Sequence, residues 1–233
     1  MCVAAIAWNA HPHWPLVVIA NRDEYHARAS APLARWDNGI LAGRDLEAGG
    51  TWLGAAPGRF ALVTNRRAPG YPRPGMASRG GLVTAALLGT EAGDPAAMNP
   101  FNLFECSASG ASFTTNYPAF DRRALSPGIH SLSNGALDEP WFKKQAVEAA
   151  LGGWLREPGP VEALFAPLAD DTRDPSEPDS HYAAVFVRNE TYGTRCSTVV
   201  AVDAGGHGVI IERSFDAQAR PSGECRIGFT WTG

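Results

Sequence analysis

The chain has 233 residues, with 20 Lys and Arg against 24 Asp and Glu, a formal net charge of -4, 45% hydrophobic and 19% charged residues. A chain of this length and apolar content can bury a full core as one domain over 1–233, which excludes disorder throughout. The acidic balance argues against non-specific nucleic-acid binding, and no apolar run approaches the roughly 20 residues of a membrane span.

Two strands open the chain. Cys2 to Trp8 is apolar and continuous, His11-Pro12-His13-Trp14-Pro15 breaks it, and Leu16 to Ala20 is β-branched and apolar, as in a strand buried on both faces. The pair predicts a hairpin that begins almost at the first residue and runs into the polar Asn21-Arg22-Asp23-Glu24 at its second strand's end. A polar loop containing Ala and Pro follows. Gly49 to Gly54 leads into a strand, Pro57-Gly58 turns the chain, and Phe60 to Asn65 is the next strand. Arg79 to Leu88 predicts a helix, 101–107 and 111–116 a strand pair, and Ile129 to Asn134 a short strand. Pro140 to Leu155 reads as a helix with Pro140 in its first turn behind Asp138-Glu139. Val161 to Leu168 is a second helix, 169–180 an exposed loop, and Ala183–Val187, Ser197–Asp203, Gly208–Glu212 and Ile227–Trp231 are strands. Strands, then helices, then strands imply an α+β layering and not alternating βαβ units.

Cys2 carries the first chemistry. With Met1 removed, it presents a thiol and a free α-amine on one carbon, and an amine with a pKa of about 7.7–8.0 can take the thiol proton directly or through a water. Its other face is that of a small buried hydrophobe. The hairpin brings Asn21-Arg22-Asp23-Glu24 back toward Cys2. Arg22 there would lower the thiol pKa, and Asp23 or Glu24 would hold the ammonium or orient a substrate amine. Alternation of side chains makes Asn21 with Asp23, or Arg22 with Glu24, the same-face pair, and the sequence leaves open which of them meets the thiol. Asn65, at the end of an apolar strand, and Asn134, before Gly135, offer amide donors for an oxyanion, although both suit turns. Between Glu47 and Glu91 stand Arg59, Arg66, Arg67, Arg73 and Arg79 with no acid among them, a basic rim fit for an anionic substrate. Trp8, Trp14, Trp36, Trp52 and Trp141 are candidates to line an apolar pocket. His11, His13 and His26 fall short of the three or four convergent ligands of a zinc site, so no metal and no cofactor is expected.

Cys2, the Asn21-Arg22-Asp23-Glu24 tetrapeptide, Thr51-Trp52-Leu53-Gly54, Thr64-Asn65-Arg66-Arg67, Leu132-Ser133-Asn134-Gly135 with Asp138 and Pro140-Trp141, and Glu212-Arg213 together resemble the NRDE family, the group of the eukaryotic transport and Golgi organisation protein 2. The resemblance covers essentially the whole chain. That family in turn is similar to the N-terminal nucleophile hydrolases, which implies a four-layer αββα sandwich and, by analogy with cysteine amidases of bile-salt conjugates and penicillin V, cleavage of a C–N amide bond. Carried over, the resemblance implies Cys2 as nucleophile, Arg22 and Asp23 beside it, Asn65 and Asn134 as the two asparagines and Arg195 as a late arginine. Asn21, Glu24, Trp52 and Arg66 are then substrate-binding candidates. The adjacency of Arg22 and Asp23 departs from the amidases, which space the two three residues apart.

The expected substrate is a small, anionic or lipid-like amide. The rival expectation is a carrier for haem, lipid or acyl-CoA on the same fold, which needs no free N-terminal thiol. Four cysteines, too few for a disulfide framework and none in a C-x-x-C pair, and a first basic residue only at Arg22, leaving no charged leader region, point to a reducing cytoplasm.

Overall fold

The computed structural model describes residues 2–231 apart from 138, 175 and 177–179. It is an α+β structure of two antiparallel sheets. The first sheet has the order β10-β1-β2-β11-β12-β13, formed by Gly128–Leu132 (β10), Val3–His11 (β1), Trp14–Tyr25 (β2), Tyr192–Val202 (β11), His207–Phe215 (β12) and Pro221–Thr230 (β13). The second runs β3 to β9 in sequence order: Ser30–Arg35, Leu41–Asp45, Leu53–Ala56, Arg59–Asn65, Phe101–Ser107, Gly110–Thr115 and Asp121–Leu125.

Three apolar clusters explain the arrangement. Alternate residues of the first hairpin, Ala4, Ile6, Trp8, Leu16, Val18 and Ala20, meet Leu62, Phe60, Phe104 and Phe113 of the second sheet. The intervening residues Val3, Ala5, Ala7, Val17 and Ile19 pack outward against Val147, Leu151 and Trp154 of helix α2 (Phe142–Arg156) and against Phe165 and Leu168 of α3 (Phe165–Leu168). This double burial is why the hairpin reads as apolar on both faces although its strands are antiparallel. On the far side of the second sheet, Leu82, Val83 and Leu87 of α1 (Gly80–Leu88) cover Ala61, Val63 and Phe101. Each fully buried Phe or Leu in these clusters contributes about 1.5–3 kcal/mol of transfer free energy.

Several elements differ from expectation. β2 does not stop before Asn21: pairing with β11 carries it through to Tyr25, so the tetrapeptide lies inside a strand. The polar segment after it forms edge strand β3 and β4, with Pro32 beside a register shift between Ala31 and Ala34. Asp121–Leu125, too exposed to show an apolar pattern, adds strand β9. α2 starts at Phe142 behind an extended Trp141, so Pro140 precedes the helix; Asp138 lies outside the described residues. Val161–Leu164 is a 3-10 turn leading into the single turn of α3. The predicted loop ends at a one-turn helix, Ser180–Ala183; its positions 175 and 177–179 are outside the described residues. Ala183–Val187 is not a strand. Its backbone is met instead by Asn21 Nδ2 on Val185 O, Thr194 Oγ1 on Val187 N, and Asp170 O on Phe186 N. Among the described residues, no helix is long and apolar enough to cross a membrane.

Candidate active site

Cys2 lies half-buried just ahead of β1. The β1–β2 register pairs Val3 with Asn21, so one further step sets Cys2 opposite Arg22. Ser133 Oγ donates to Cys2 O at 2.9 Å and fixes this end of the chain. Cys2 opens into a cavity of about 760 Å³ lined also by Arg22, Asp23, Glu24, Trp52, Asn65, Arg79, Arg195 and Glu212. The cavity reaches from β1 to Ser222–Cys225 on β13, a lateral span of four strand spacings or about 19 Å.

The strand alternation left open by the sequence is resolved here. Arg22 and Glu24 share a face, with Arg22 Nη2 3.8 Å from Glu24 Oε2. Asn21 and Asp23 turn toward the helical side. Asn21 is fully buried, donates Nδ2 to Leu168 O (2.8 Å) and Val185 O (2.9 Å), and accepts Ser197 Oγ at 2.6 Å. It does not line the cavity. Its three bonds make it a structural tie between β2, β11 and the segments above them. Asp23 accepts Thr194 Oγ1 at 2.8 Å and lines the cavity with Cys2. Burial pushes the thiol up; the Asp23 carboxylate adds to the rise, while the Asp23 backbone N–H and the Arg22 guanidinium oppose it. Burial also pushes the Asp23 carboxyl up, against the pull of Lys143, the Thr194 hydroxyl and Arg22.

Arg195 is placed by an irregularity. Thr194 pairs with Asp23 and Cys196 with Arg22, leaving Arg195 as the unpaired residue of a β-bulge, a device that re-aims a side chain. Its Nη1 donates to Tyr25 O, Tyr25's neighbour His26 O and Arg28 O at 3.1, 3.2 and 3.2 Å, closing the turn after β2 over the cavity.

The two asparagines are joined, but only one faces the cavity. Asn65, exposed at the end of β6, lines it. Asn134 is buried, and its Nδ2 donates to Asn65 O at 2.6 Å. Ser133–Gly135 thereby links both sheets: Ser133 O accepts Thr64 Oγ1 (2.6 Å) and Asn102 Nδ2 (3.2 Å), Gly135 O accepts Asn102 Nδ2 (2.8 Å), and Asn134 O accepts Arg67 N (2.7 Å). The Leu132-Ser133-Asn134-Gly135 motif is thus a clamp that sets Cys2 against Asn65.

Other candidates fall elsewhere. Arg66 turns to the Tyr117 ring, Arg67 to Trp141 and Arg73 to Tyr71; of the five arginines in the basic stretch, Arg79 alone reaches the cavity. Trp52 lines it, whereas Trp8 is in the inter-sheet core, Trp14 packs edge-on against Trp154, and Trp36 donates to Ala42 O. Among the described residues, no group of three or more His, Cys, Asp or Glu gathers as metal ligands.

Sequence reasoning missed Glu212 as a site residue. It is 4% exposed, accepts Leu33 N at 2.7 Å across the sheets, and has its carboxyl pushed up by burial against the pull of that N–H, the Cys196 thiol and Arg22. Its place inside an otherwise apolar strand, Val209 to Glu212, was the available signal. Lys143, 1% exposed on α2 with Nζ donating to Tyr182 O at 3.3 Å, was hidden in the same way inside a helix.

Residues 1–217 match the family model described as Transport and Golgi organisation 2. The chain is 33% identical to the Transport and Golgi organization protein 2 homolog of Bos taurus, over 92% of this chain and 93% of that protein. The homologs of Homo sapiens and Mus musculus are 33% and 32% identical over the same shares.

Proposed function

The chain belongs to the Transport and Golgi organisation 2 family, and we propose that its cleft is the site of an N-terminal cysteine amidohydrolase acting on a C–N amide bond of a small anionic or lipid-like molecule. We read the stack of helix, sheet, sheet and helix as the αββα sandwich of the N-terminal nucleophile hydrolases. The observation that carries the proposal is the position of Cys2: a strand-end thiol opening into the cavity between Arg22, Asp23 and Asn65.

The reaction needs Met1 removed. The Cys2 α-amine then takes the thiol proton as sulfur attacks the amide carbonyl. The amine and the thiol belong to one residue, so the proton passes directly or through one water. The carbonyl oxygen becomes an oxyanion held by the Asn65 side-chain amide and a backbone N–H. The C–N bond breaks, the leaving nitrogen takes the proton from the Cys2 ammonium, and a thioester remains. Water, deprotonated by the same amine, attacks the thioester, releasing a carboxylic acid and restoring the thiol. Asp23 holds the ammonium; Asn134 and Arg195 are positioning residues acting through Asn65 and the Tyr25–Arg28 turn.

A cavity about 19 Å long also suits an extended ligand, which favours, as a second reading, a carrier of haem, lipid or acyl-CoA. Intact mass of untagged protein and limiting iodoacetamide labelling decide first. Loss of Met1 and labelling of Cys2 well ahead of Cys106, Cys196 and Cys225, followed by amide hydrolysis that Cys2→Ser abolishes, is the expected result. Met1 retained, or Cys2 no more reactive than the other thiols, overturns the hydrolase. Ligand retention unaffected by Cys2→Ala then supports the carrier.

A further inference from the structure

Arg22 is 8% exposed, and its Nη1 is buried without a hydrogen-bond partner among the described residues. Its other terminal nitrogen has only the 3.8 Å approach to Glu24, longer than a charge-assisted hydrogen bond. A buried guanidinium nitrogen with no acceptor costs free energy unless something else supplies the oxygen. The residue lines the cavity together with Cys2.

A second feature points into the same space. α1 begins at Gly80, which lines the cavity with Ser78 and Arg79. The Arg79 side chain makes no capping bond, Ser78 Oγ accepts Gly80 N at 3.3 Å, and the first turn holds no acidic residue, so no carboxylate offsets the positive end of the helix. The helix end is held there by backbone contact: a Cβ on Gly50 would lie 2.6 Å from Gly80 C. Arg79 spends one nitrogen on Pro100 O at 3.2 Å. The residue lines the same cavity as Cys2.

The surrounding carboxylates are engaged by other groups. Asp45 and Glu47 are taken by Arg28 at 2.7 and 3.1 Å, Glu224 by Arg213 at 2.6 Å, Glu24 is shared between Arg22 and Arg28 at 3.8 and 3.9 Å, Asp23 accepts Thr194 Oγ1 at 2.8 Å and Glu212 accepts Leu33 N at 2.7 Å. Arg79 and Arg195 have no carboxylate partner among the described residues.

We infer that the α1 N-terminus, Arg79 and Arg22 Nη1 form an anion subsite next to Cys2 that receives a carboxylate or phosphate carried by the ligand. The inference deepens the hydrolase reading by naming which group of the substrate is recognised, and it rests on that reading only for the role of Cys2 as reporter.

The test compares alkylation of Cys2 in the untagged protein by iodoacetate and by iodoacetamide, which react by the same displacement of iodide and differ in charge. The expected ratio of the two rate constants exceeds that of glutathione by about tenfold, the kinetic equivalent of about 1.4 kcal/mol. In Arg79→Gln the ratio falls to near that of glutathione, and Arg79→Lys, which keeps the charge, restores most of it. The ratio cancels any general change in thiol reactivity. Protection by inorganic phosphate or by acetate assigns the preferred anion. A wild-type ratio no higher than that of glutathione, or one unchanged in Arg79→Gln, overturns the subsite. If Cys2 reacts with neither reagent, the nucleophile reading fails, and calorimetric titration with phosphate decides the subsite: binding lost in Arg79→Gln sustains it, and absence of binding to the wild type overturns it.

Discussion

Replacing Asn21 with alanine separates scaffold from chemistry within the tetrapeptide. The side chain is fully buried and satisfies two backbone carbonyls, Leu168 O and Val185 O, together with the Ser197 hydroxyl. Alanine keeps none of these bonds and adds no group to replace them. The hydroxyl can rotate to another acceptor, but the carbonyls cannot. At about 1–3 kcal/mol for each stranded buried group, the two carbonyls make the loss about 4 kcal/mol, a large part of the roughly 5–15 kcal/mol by which domains are stable. With a urea slope of about 2.5 kcal/mol/M, the midpoint moves down by about 1.6 M with the slope unchanged. Asn21→Asp, nearly the same shape, keeps the acceptor for Ser197 but sets a carboxylate against two carbonyls, and loses at least as much. Urea unfolding followed by tryptophan fluorescence measures both. A midpoint shift under about 0.4 M for either variant would refute the structural assignment of Asn21 and return it to the substrate-binding candidates.

Glu212 ties stability to pH. Its folded carboxyl is raised above the ordinary glutamate value, so between those two pKa values the folded state holds more protons than the unfolded one, and stability falls as pH rises through that window. Glu212→Gln keeps an acceptor for Leu33 N and removes the titration. The variant's stability relative to the parent therefore increases from the ordinary carboxyl range up through the raised pKa and then levels off; denaturation midpoints taken across pH 4 to 8 would contradict this if the difference were flat or declined. Gly50→Ala forces a methyl into the Gly80 backbone at 2.6 Å, at a cost of about 1–3 kcal/mol. The displaced α1 also lowers the iodoacetate preference of Cys2 although Arg79 is intact, and a stable variant with full preference would show that the Gly50–Gly80 contact does not set the subsite.

Much of the architecture was legible because it depends on local patterning. The opening hairpin, the Phe60–Asn65 strand and the Gly80–Leu88 helix carry long apolar runs bounded by Gly and Pro, and the paired sheets and helices only had to cover them. The segments that escaped notice get their structure from partners far along the chain. β3 and β9 are edge strands whose exposed sequences carry little period. Ala183–Val187 looks like a strand by composition, yet side chains of Asn21 and Thr194 bond its backbone where a neighbouring strand would have done so.

The same division runs through the site. The order of residues supplied the inventory: a cysteine at position 2, a polar tetrapeptide after an apolar strand, two asparagines, and the resemblance that connects them. Tertiary structure alone decided what each does. Extension of β2 against β11 put Arg22 and Glu24 on one face and Asn21 and Asp23 on the other, because side chains alternate wherever strand pairing continues. A single unpaired residue aimed Arg195. Burial raised Cys2, Asp23 and Glu212, and contact between Gly50 and Gly80 set the end of α1 in the wall of the cavity that Cys2 lines. These are properties of registers, bulges and desolvation, which arise from residues distant in the chain, as far as 171 positions for Thr194 and Asp23, and have no trace in the order of neighbours along it.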